Sequence, residues 1–203
     1  MEEGYSFRAS FVLGFHGCDA TTAEAVLSGK SRHLRPSENR YDWLGSGIYF
    51  WEASPVRALQ YIKASMSRPS RRQGKIRTPA VIGAIIDLGN CLDLLDSQYF
   101  EVVHGAHQVL QQTAELSGLP MPKNQPFGKS PDPLLTLRNL DCKVINAIHD
   151  QRRVQNLRPF DTVRAGFFEG EPLYDGASFY DRNHIQICVR NTQCIKGYFR
   201  LLP

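Results

Sequence analysis

The sequence predicts an α+β fold in which strands near both ends of the chain surround a central helical block. Apolar runs of strand length lie at 11–15 and 185–189. Two longer patterns with helical spacing, 96–118 and 134–152, lie between them. The chain contains no internal repeat and no regular alternation of strands with helices, so we expect one mixed domain and not a doubly wound sheet.

The N-terminal part of the chain is predicted to form a strand, a short helix and an irregular connection. The apolar run 11–15 predicts the strand. Thr21 and Glu24 match a capping box, which predicts the start of a helix, and Gly29 is suited to its end. Residues 30–43 are polar and irregular in pattern, so no regular element is expected there.

A second strand and a second helix are expected next. Glycines lead into a strand at 47–50, and Ser54 and Pro55 suit the N-cap and the first position of a helix. The predicted buried face of this helix consists of Val56, Leu59, Ile62 and Met66. The continuous apolar run 80–86 predicts a strand that is buried on both faces.

Two long helices and the loop between them form the predicted central block. The buried face predicted for the first helix, 96–118, consists of Phe100, Val103, Ala106, Val109, Leu110, Thr113 and Leu116. The loop 119–133 is rich in Pro, Gly, Lys and Ser, and the second helix covers 134–152. Residues 158–182 are expected to form short strands and an exposed loop, and a closing strand is expected at 196–202.

Composition narrows the class of protein. The chain has 203 residues, enough for a single domain 1–203 with a helical insertion at about 95–155. No apolar run approaches the ~20 residues that cross a bilayer, and the acidic N-terminus lacks an apolar signal segment, so we expect a cytoplasmic protein without membrane contact. The five cysteines are scattered and lack metal-ligand spacing, so we expect reduced thiols and no metal site. They are Cys18, Cys91, Cys142, Cys188 and Cys194.

Positive charge is concentrated in one run. The net charge is +4, and most of the local excess lies at 63–77. The basic residues of this run are Lys63, Arg68, Arg71, Arg72, Lys75 and Arg77. Such a run is typical of a solvated loop and also of an electrostatic site for a polyanion, so RNA or DNA is one partner to test.

Three blocks of sequence carry a resemblance to a known family. The blocks are residues 15–17 with 34–36, residues 45–50 with 81–90, and residues 186–195 with 198–199. They contain Phe-His-Gly, Gly-Ser-Gly-Ile-Tyr-Phe and Gln-Ile-Cys-Val-Arg-Asn, and together they cover roughly half of the chain. In these blocks the chain resembles ADP-ribosyltransferases of the branch that shares a His-Tyr-Glu signature with diphtheria toxin and the poly(ADP-ribose) polymerases.

The resemblance implies an ADP-ribosyltransferase-like fold, a split antiparallel β-sheet that holds NAD+ in its cleft as a substrate. It implies that His16 hydrogen-bonds the adenine-side ribose, that Gly17 holds the nicotinamide carboxamide and that Tyr49 stacks on the nicotinamide ring. The residues implied to bind NAD+ are His16, Gly17, Arg35, Ser46, Gly47, Tyr49 and Tyr61. Trp51 competes with Tyr61 as the second aromatic, because Tyr61 lies one residue beyond the family spacing.

One signature position departs from the family. Most members have Glu there, and this chain has Gln186. A glutamine amide can hydrogen-bond a ribose hydroxyl, but it supplies no negative charge and accepts no proton. We therefore expect a carboxylate from the preceding loop to substitute for the missing acid. The predicted catalytic residues are His16, Tyr49, Gln186 and Glu171. Glu169 and Glu52 are the alternatives to Glu171.

The resemblance implies a mono-ADP-ribosyltransferase that transfers ADP-ribose from NAD+ to a protein or to a nucleic acid. Polymer elongation is not expected. Family-level analogy adds a toxin or defence effector that an antitoxin or immunity partner holds in check. Two other functions fit the same residues. One is an NAD+ glycohydrolase, which transfers ADP-ribose to water, and the other is a degenerate module that binds NAD+ or ADP-ribose without turnover.

Overall fold

A computed structural model describes residues 11–66, 76–126 and 137–202. Within these residues the chain is an α+β protein with a seven-strand mixed, mostly antiparallel sheet and four α-helices. The strands are β1 (Phe11–Asp19), β2 (Ile48–Glu52), β3 (Pro79–Asp87), β4 (Cys91–Asp93), β5 (Thr162–Phe167), β6 (His184–Val189) and β7 (Ile195–Arg200). The helices are α1 (Ala20–Leu27), α2 (Pro55–Met66), α3 (Phe100–Ser117) and α4 (Asn139–Val154). The predicted α+β class is confirmed.

The order of the strands in the sheet is β4-β5-β6-β2-β1-β3-β7. β4 runs parallel to β5, and the other neighbours are antiparallel. β6, β2 and β1 are adjacent in the middle of the sheet, although a long stretch of chain separates β6 from β2. The topology therefore brings together the three blocks of sequence that predicted the site.

The pairing between β1 and β2 is short. β1 pairs with β3 along its whole length, but its ladder with β2 ends at Phe15 and Trp51. Gly17 and Tyr49 would be the next residues to exchange main-chain hydrogen bonds, and no ladder joins them. We call this unpaired stretch between Gly17 and Tyr49 the β1–β2 gap.

Helices cover both faces of the sheet. On one face Phe50 packs in a cluster with Val26 of α1, and we call it the α1 face. On the opposite face Trp51 packs with Ala58 of α2, while α3 and α4 cover the part near β5 and β6. We call this side the α2 face. Because successive strand residues point to opposite sides, Tyr49 and Trp51 both lie on the α2 face.

The predicted capping box of α1 is wrong. Asp19 is the N-cap, and its carboxylate accepts hydrogen bonds from the Thr21 hydroxyl at 2.7 Å and the Thr21 N–H at 3.0 Å. It also accepts the N–H groups of Arg77 and Thr78. The Thr21 hydroxyl first, and then these main-chain donors, hold the pKa of Asp19 well below its ordinary value. Thr21 thus lies within the helix, and Glu24 instead contacts Arg200 on β7.

The predicted buried faces of two helices are also partly wrong. In α2, Val56 is 64% exposed, whereas Arg57 and Ala58 are buried. In α3, Ala106 is buried but Leu116 is 90% exposed. Apolar spacing identifies a helix but does not decide which side meets the sheet. That side is set here by the close approach of α2 to β1 and by the position of α3 against α4 at one edge of the core.

The described part of the chain also shows the state of the cysteines, the character of the helices and part of the basic run. All five cysteines are unpaired, as predicted. None of the helices in the described ranges has the length and apolar character of a membrane-spanning segment. Of the basic run, Lys63 lies in the last turn of α2 and Arg77 precedes β3. The other four basic residues fall outside the described residues.

The buried ring of His149 predicts that stability depends on pH. His149 lies on α4 and is only 7% exposed, and neither of its ring nitrogens has a hydrogen-bond partner among the described residues. Burial, with nearby Arg190 and Arg152, lowers the pKa of His149 from 6.5 to about 3. Below about pH 6.5 the unfolded chain binds a proton that the folded protein does not, so the free energy of unfolding should fall by up to about 1.4 kcal/mol per pH unit.

Urea unfolding measured between about pH 7.5 and pH 4 checks this prediction. His149→Leu removes the titrating ring together with both unpartnered nitrogens, and it keeps an apolar side chain of similar size in the core. We expect its free energy of unfolding to vary less steeply below pH 6.5 than that of the wild type. Equal slopes in the two proteins would show that His149 does not control the acid sensitivity.

Candidate functional site

His16 reaches across the β1–β2 gap. Its Nδ1 lies 2.7 Å from the main-chain oxygen of Tyr49, and because a carbonyl oxygen only accepts, we assign the ring proton to Nδ1. Burial lowers the pKa of His16 below 6.5, so the ring is neutral at pH 7. Nε2 is then a hydrogen-bond acceptor. The histidine can therefore hold β2 through one nitrogen and receive a ligand hydroxyl with the other.

Gly17 presents a main-chain donor and acceptor to the gap. In an antiparallel strand the N–H and C=O of one residue point toward the same neighbouring strand, and the direction alternates along the chain. The N–H of Ala53 donates to the oxygen of Leu13 at 2.8 Å, so Leu13, Phe15 and Gly17 turn these groups toward β2. Among the described residues the register gives Gly17 no partner on β2. One donor beside one acceptor matches a carboxamide.

The glycine at position 17 also has a packing reason. A Cβ atom placed there would lie 2.4 Å from the main-chain oxygen of Ala58 and 2.9 Å from the Cβ of Ile62. Both atoms belong to α2, so this helix lies directly on β1. The close contact fixes α2, with Arg57 and Tyr61, beside the gap.

Tyr49 is held in one orientation by its hydroxyl. The hydroxyl donates to the oxygen of Gly45 at 2.7 Å and accepts the N–H of Leu44 at 2.8 Å. Burial, with smaller contributions from Cys188 and Asp42, raises the pKa of Tyr49 far above its ordinary value, so the phenol stays protonated. Its aromatic ring, the part predicted to stack on nicotinamide, is thus fixed on the α2 face next to the gap.

The glycine turn before β2 is fully used inside the protein. Ser46 donates its N–H to Asn146 at 3.1 Å and accepts Arg190 on its oxygen at 2.7 Å. Gly47 exchanges both of its main-chain hydrogen bonds with Ser37. The main-chain groups of Ser46 and Gly47 that were predicted to contact NAD+ are therefore already bonded to other described residues. The hydroxyl of Ser46 is the group that is left to bind a ligand.

Trp51 and Tyr61, the two competitors for the second aromatic position, contact each other. Their ring centroids lie 4.9 Å apart at an interplanar angle of 44°. Trp51 is buried at 4% exposure, whereas Tyr61 on α2 is 42% exposed. Trp51 is therefore covered, and Tyr61 is the more accessible of the two aromatics.

Gln186 lies on β6 with its side chain on the α2 face. It is paired with Trp51 of β2 and with Ala165 of β5. Gln186 is partly exposed, and its amide makes no hydrogen bond to another described residue. His184 lies two residues before it on the same face, so the predicted signature position and this buried histidine are neighbours.

The three carboxylates proposed to replace the missing acid have different surroundings. Glu52 lies on the α1 face and binds Arg164 through both oxygens, at 2.6 and 2.9 Å. Glu171 is exposed, and no side-chain contact holds its carboxylate within the described residues. Glu169 lies 2.7 Å from Arg57 of α2 and 3.9 Å from His184. Of the three, Glu169 is the one that lies beside His184, the neighbour of Gln186 on the same face of β6.

Arg35 stands apart from this group. It is exposed after the turn that follows α1, and no contact within the described residues fixes its guanidinium. Its predicted role at NAD+ would require the ligand itself to order the side chain.

Arg57 and His184 are the site residues that the sequence did not reveal. Arg57 follows a helix start of Ser-Pro-Val, where an apolar face was expected, and His184 directly precedes a predicted strand. Both are buried, at 6% and 8% exposure. The sequence signal available for Arg57 was a charged residue at the third position of a short amphipathic helix, next to the expected apolar face. Charged residues are normally solvated, so its burial was not expected.

A cavity of about 630 Å³ lies elsewhere, between α3 and the segment that follows it. Its lining includes His107, Glu115, Met121 and Leu140, and none of the predicted site residues. The groups that we predict to take part in chemistry therefore do not line this cavity. Comparison of the chain with protein-family models, with curated proteins and with solved structures finds no match.

Proposed function

We propose that this protein is a mono-ADP-ribosyltransferase that uses NAD+ to modify a macromolecular acceptor. One observation carries the proposal. The three strands that contain the blocks resembling ADP-ribosyltransferases, β1, β2 and β6, are adjacent, and the ladder between two of them is interrupted at Gly17 and Tyr49. This interruption is consistent with the split sheet of an ADP-ribosyltransferase-like fold, and the NAD+ cleft would be the β1–β2 gap.

The groups around the gap suit the nicotinamide end of NAD+. The N–H and C=O of Gly17 would receive the carboxamide, which offers one acceptor and two donors. The ring of Tyr49, which its hydroxyl holds in place, would stack on the pyridinium, and Tyr61 would approach from α2. Stacking with some cation–π attraction is worth about 0.5–2 kcal/mol. Such contacts fix the leaving group, which is one requirement for breaking the nicotinamide–ribose bond.

His16 would position the ribose portion. Its neutral ring offers Nε2 as an acceptor for a ribose hydroxyl, while Nδ1 stays bound to Tyr49. The amide of Gln186 has no other partner among the described residues and can hydrogen-bond a second hydroxyl. Two such contacts on either side of the gap would orient the sugar for attack by an acceptor.

The proposed reaction is one transfer to a macromolecule, without polymer growth. The protein and nucleic-acid alternatives both remain for the acceptor, and the basic run 63–77 is the reason to include RNA and DNA. The two competing functions are an NAD+ glycohydrolase and a module that binds NAD+ without turnover. They are favoured by the presence of Gln186 where the family has an acid. Hydrolysis of NAD+ and binding without turnover are therefore outcomes of the experiment below.

Incubation of the purified protein with NAD+ labelled in the adenylate, in a cell lysate, tests the proposal. Protein, RNA and DNA fractions are separated, and free ADP-ribose is measured in parallel. We expect label in one macromolecular fraction with the wild type and not with Tyr49→Ala. Release of ADP-ribose alone would identify a glycohydrolase. No consumption of NAD+, with binding measured by calorimetry, would identify a binding module and overturn the proposal.

A further inference from the structure

We propose that Glu169 is the catalytic carboxylate of this site and supplies the negative charge that Gln186 lacks. The proposal rests on the proposed transferase function and adds a residue to it. It differs from the expectation drawn from the sequence, which placed this role on Glu171. The structure holds the three carboxylates in different surroundings, and these surroundings distinguish Glu169 from Glu171 and Glu52.

Glu169 is fixed at one oxygen and open at the other. Its Oε2 accepts a hydrogen bond from Nη2 of Arg57 at 2.7 Å and lies 3.9 Å from Nδ1 of His184. Its side chain is 24% exposed, and Oε1 has no hydrogen-bond partner among the described residues. A carboxylate anchored in this way has one oxygen in an ion pair and presents the other to the site.

The residue that anchors Glu169 is itself rigid. Arg57 is buried at 6% exposure, and Nη1 donates to Gln60 at 3.2 Å. α2 lies directly on β1 at Gly17, so the guanidinium is fixed relative to the gap. Arg57 is therefore a positioning residue, and the ion pair joins the loop after β5 to the wall of the site.

The surroundings of Glu169 contain unused polar groups. Nε1 of Trp51, Nε of Arg57 and Nε2 of His184 are buried and have no hydrogen-bond partner among the described residues. The ring centroids of Trp51 and His184 are 6.3 Å apart, so these groups form one cluster. Nδ1 of His184 lies 2.6 Å from the oxygen of Arg182 and carries the proton, which leaves Nε2 as an acceptor. Buried groups left unpaired in this way are uncommon and need an explanation, which a catalytic role of this cluster would supply.

Glu169 lies on the same side of the sheet as Gln186, where a carboxylate could replace the missing acid. His184 and Gln186 are two residues apart on β6 and point to the same face, which separates them by about 7 Å along the strand. Glu169 lies beside His184, and Trp51 is the direct neighbour of Gln186 on β2. The carboxylate is thus held next to His184, the residue that lies two positions before the family's acid position on the same face of β6.

The proposed step balances without any additional reactant. A nucleophile of the acceptor, with its hydrogen, attacks C1′ of the nicotinamide ribose. The bond from C1′ to the pyridinium nitrogen breaks, and its electron pair leaves with neutral nicotinamide. The acceptor proton passes to Oε1 of Glu169, whose charge also favours the positive ribose in the transition state.

Glu169→Gln tests this role, because it keeps the shape of the side chain and removes its charge. We expect kcat for NAD+ consumption to fall by about 10²-fold or more, with the Kd for NAD+ changed by less than about threefold. Asp175→Asn, an exposed carboxylate at the tip of the same loop, is the matched control and should keep wild-type kcat. Thermal unfolding of all variants is measured in parallel.

The double variant Glu169→Gln with Gln186→Glu separates catalysis from a structural role. Moving the carboxylate to the position where the family has it should restore kcat at least about tenfold over Glu169→Gln alone, which a lost ion pair with Arg57 would not allow. A loss that Gln186→Glu does not relieve would assign Glu169 a structural role and overturn the proposal. Wild-type kcat in Glu169→Gln would overturn it as well, while leaving the transferase function standing. Absence of turnover in the wild type would overturn both.

Discussion

Replacement of Gly17 by alanine is expected to lower the free energy of unfolding by about 2–3 kcal/mol. The added Cβ would lie 2.4 Å from the main-chain oxygen of Ala58 and 2.9 Å from the Cβ of Ile62. The first contact is with helix backbone, which cannot turn aside as a flexible side chain can, so α2 must move away from β1. Overpacking of this kind costs about 1–3 kcal/mol, and more where backbone shifts. Urea unfolding of the two proteins measures the loss.

Gly197→Ala is the matched control, because a Cβ at this strand glycine of β7 meets no atom within 4 Å. We expect its free energy of unfolding to stay within about 0.5 kcal/mol of the wild type. The folded fraction of Gly17→Ala should also lose NAD+ turnover, since α2 carries Arg57 and Tyr61 to the gap. Wild-type stability in Gly17→Ala would mean that α2 does not rest on β1 as closely as described.

The strands were predictable because their pattern is local. All four apolar runs predicted as strands lie within or overlap observed strands, namely 11–15, 47–50, 80–86 and 185–189. A continuous or alternating apolar pattern predicts a strand whichever strands lie beside it. β4 was missed, because it has three residues and its pairing with β5 depends on a contact far along the chain. The helix predicted from 134 begins at Asn139, and Leu137 instead pairs with the backbone of Gln125.

Helix faces were harder to predict than helices. The spacing in α2 places Val56 on an apolar stripe, yet Val56 is exposed and Arg57 is buried. The deciding contact is between Ala58 and Gly17, two small residues that allow close approach. Small residues carry little hydrophobic signal, so a pattern based on large apolar side chains does not detect such a contact.

The part of the candidate site that was predictable is the set of residues that a sequence motif identifies. His16 and Tyr49 meet at the gap because β1 and β2 are neighbours, and Gln186 follows on β6. The choice among carboxylates was not predictable, because it depends on the partner of each one. Glu52 and Glu169 both bind arginines, and only the fold shows on which face each pair lies. The roles of these residues in turnover remain predictions.

His16→Ala is expected to lower kcat/KM for NAD+ by about 10²-fold or more. The substitution removes both the bridge from Nδ1 to the oxygen of Tyr49 and the acceptor Nε2. The gap would lose its fixed width, and the ribose would lose its proposed partner. A misplacement of about 1 Å in a catalytic site costs about 10²-fold in rate. His104→Ala, on the exposed side of α3, is the matched control and should keep wild-type kinetics. Steady-state measurement of nicotinamide release compares the three proteins.

His16→Asn separates the two functions of the ring. The asparagine amide can still donate to the oxygen of Tyr49, but it has no acceptor at the position of Nε2. We therefore expect wild-type stability with reduced turnover, whereas a purely structural histidine would give wild-type turnover as well. Because burial lowers the pKa of His16, the acceptor stays neutral below pH 6.5, and turnover should decline only as pH falls through that lowered value. Turnover that is already halved near pH 6.5 in the wild type and not in His16→Asn would contradict the assignment of a neutral ring.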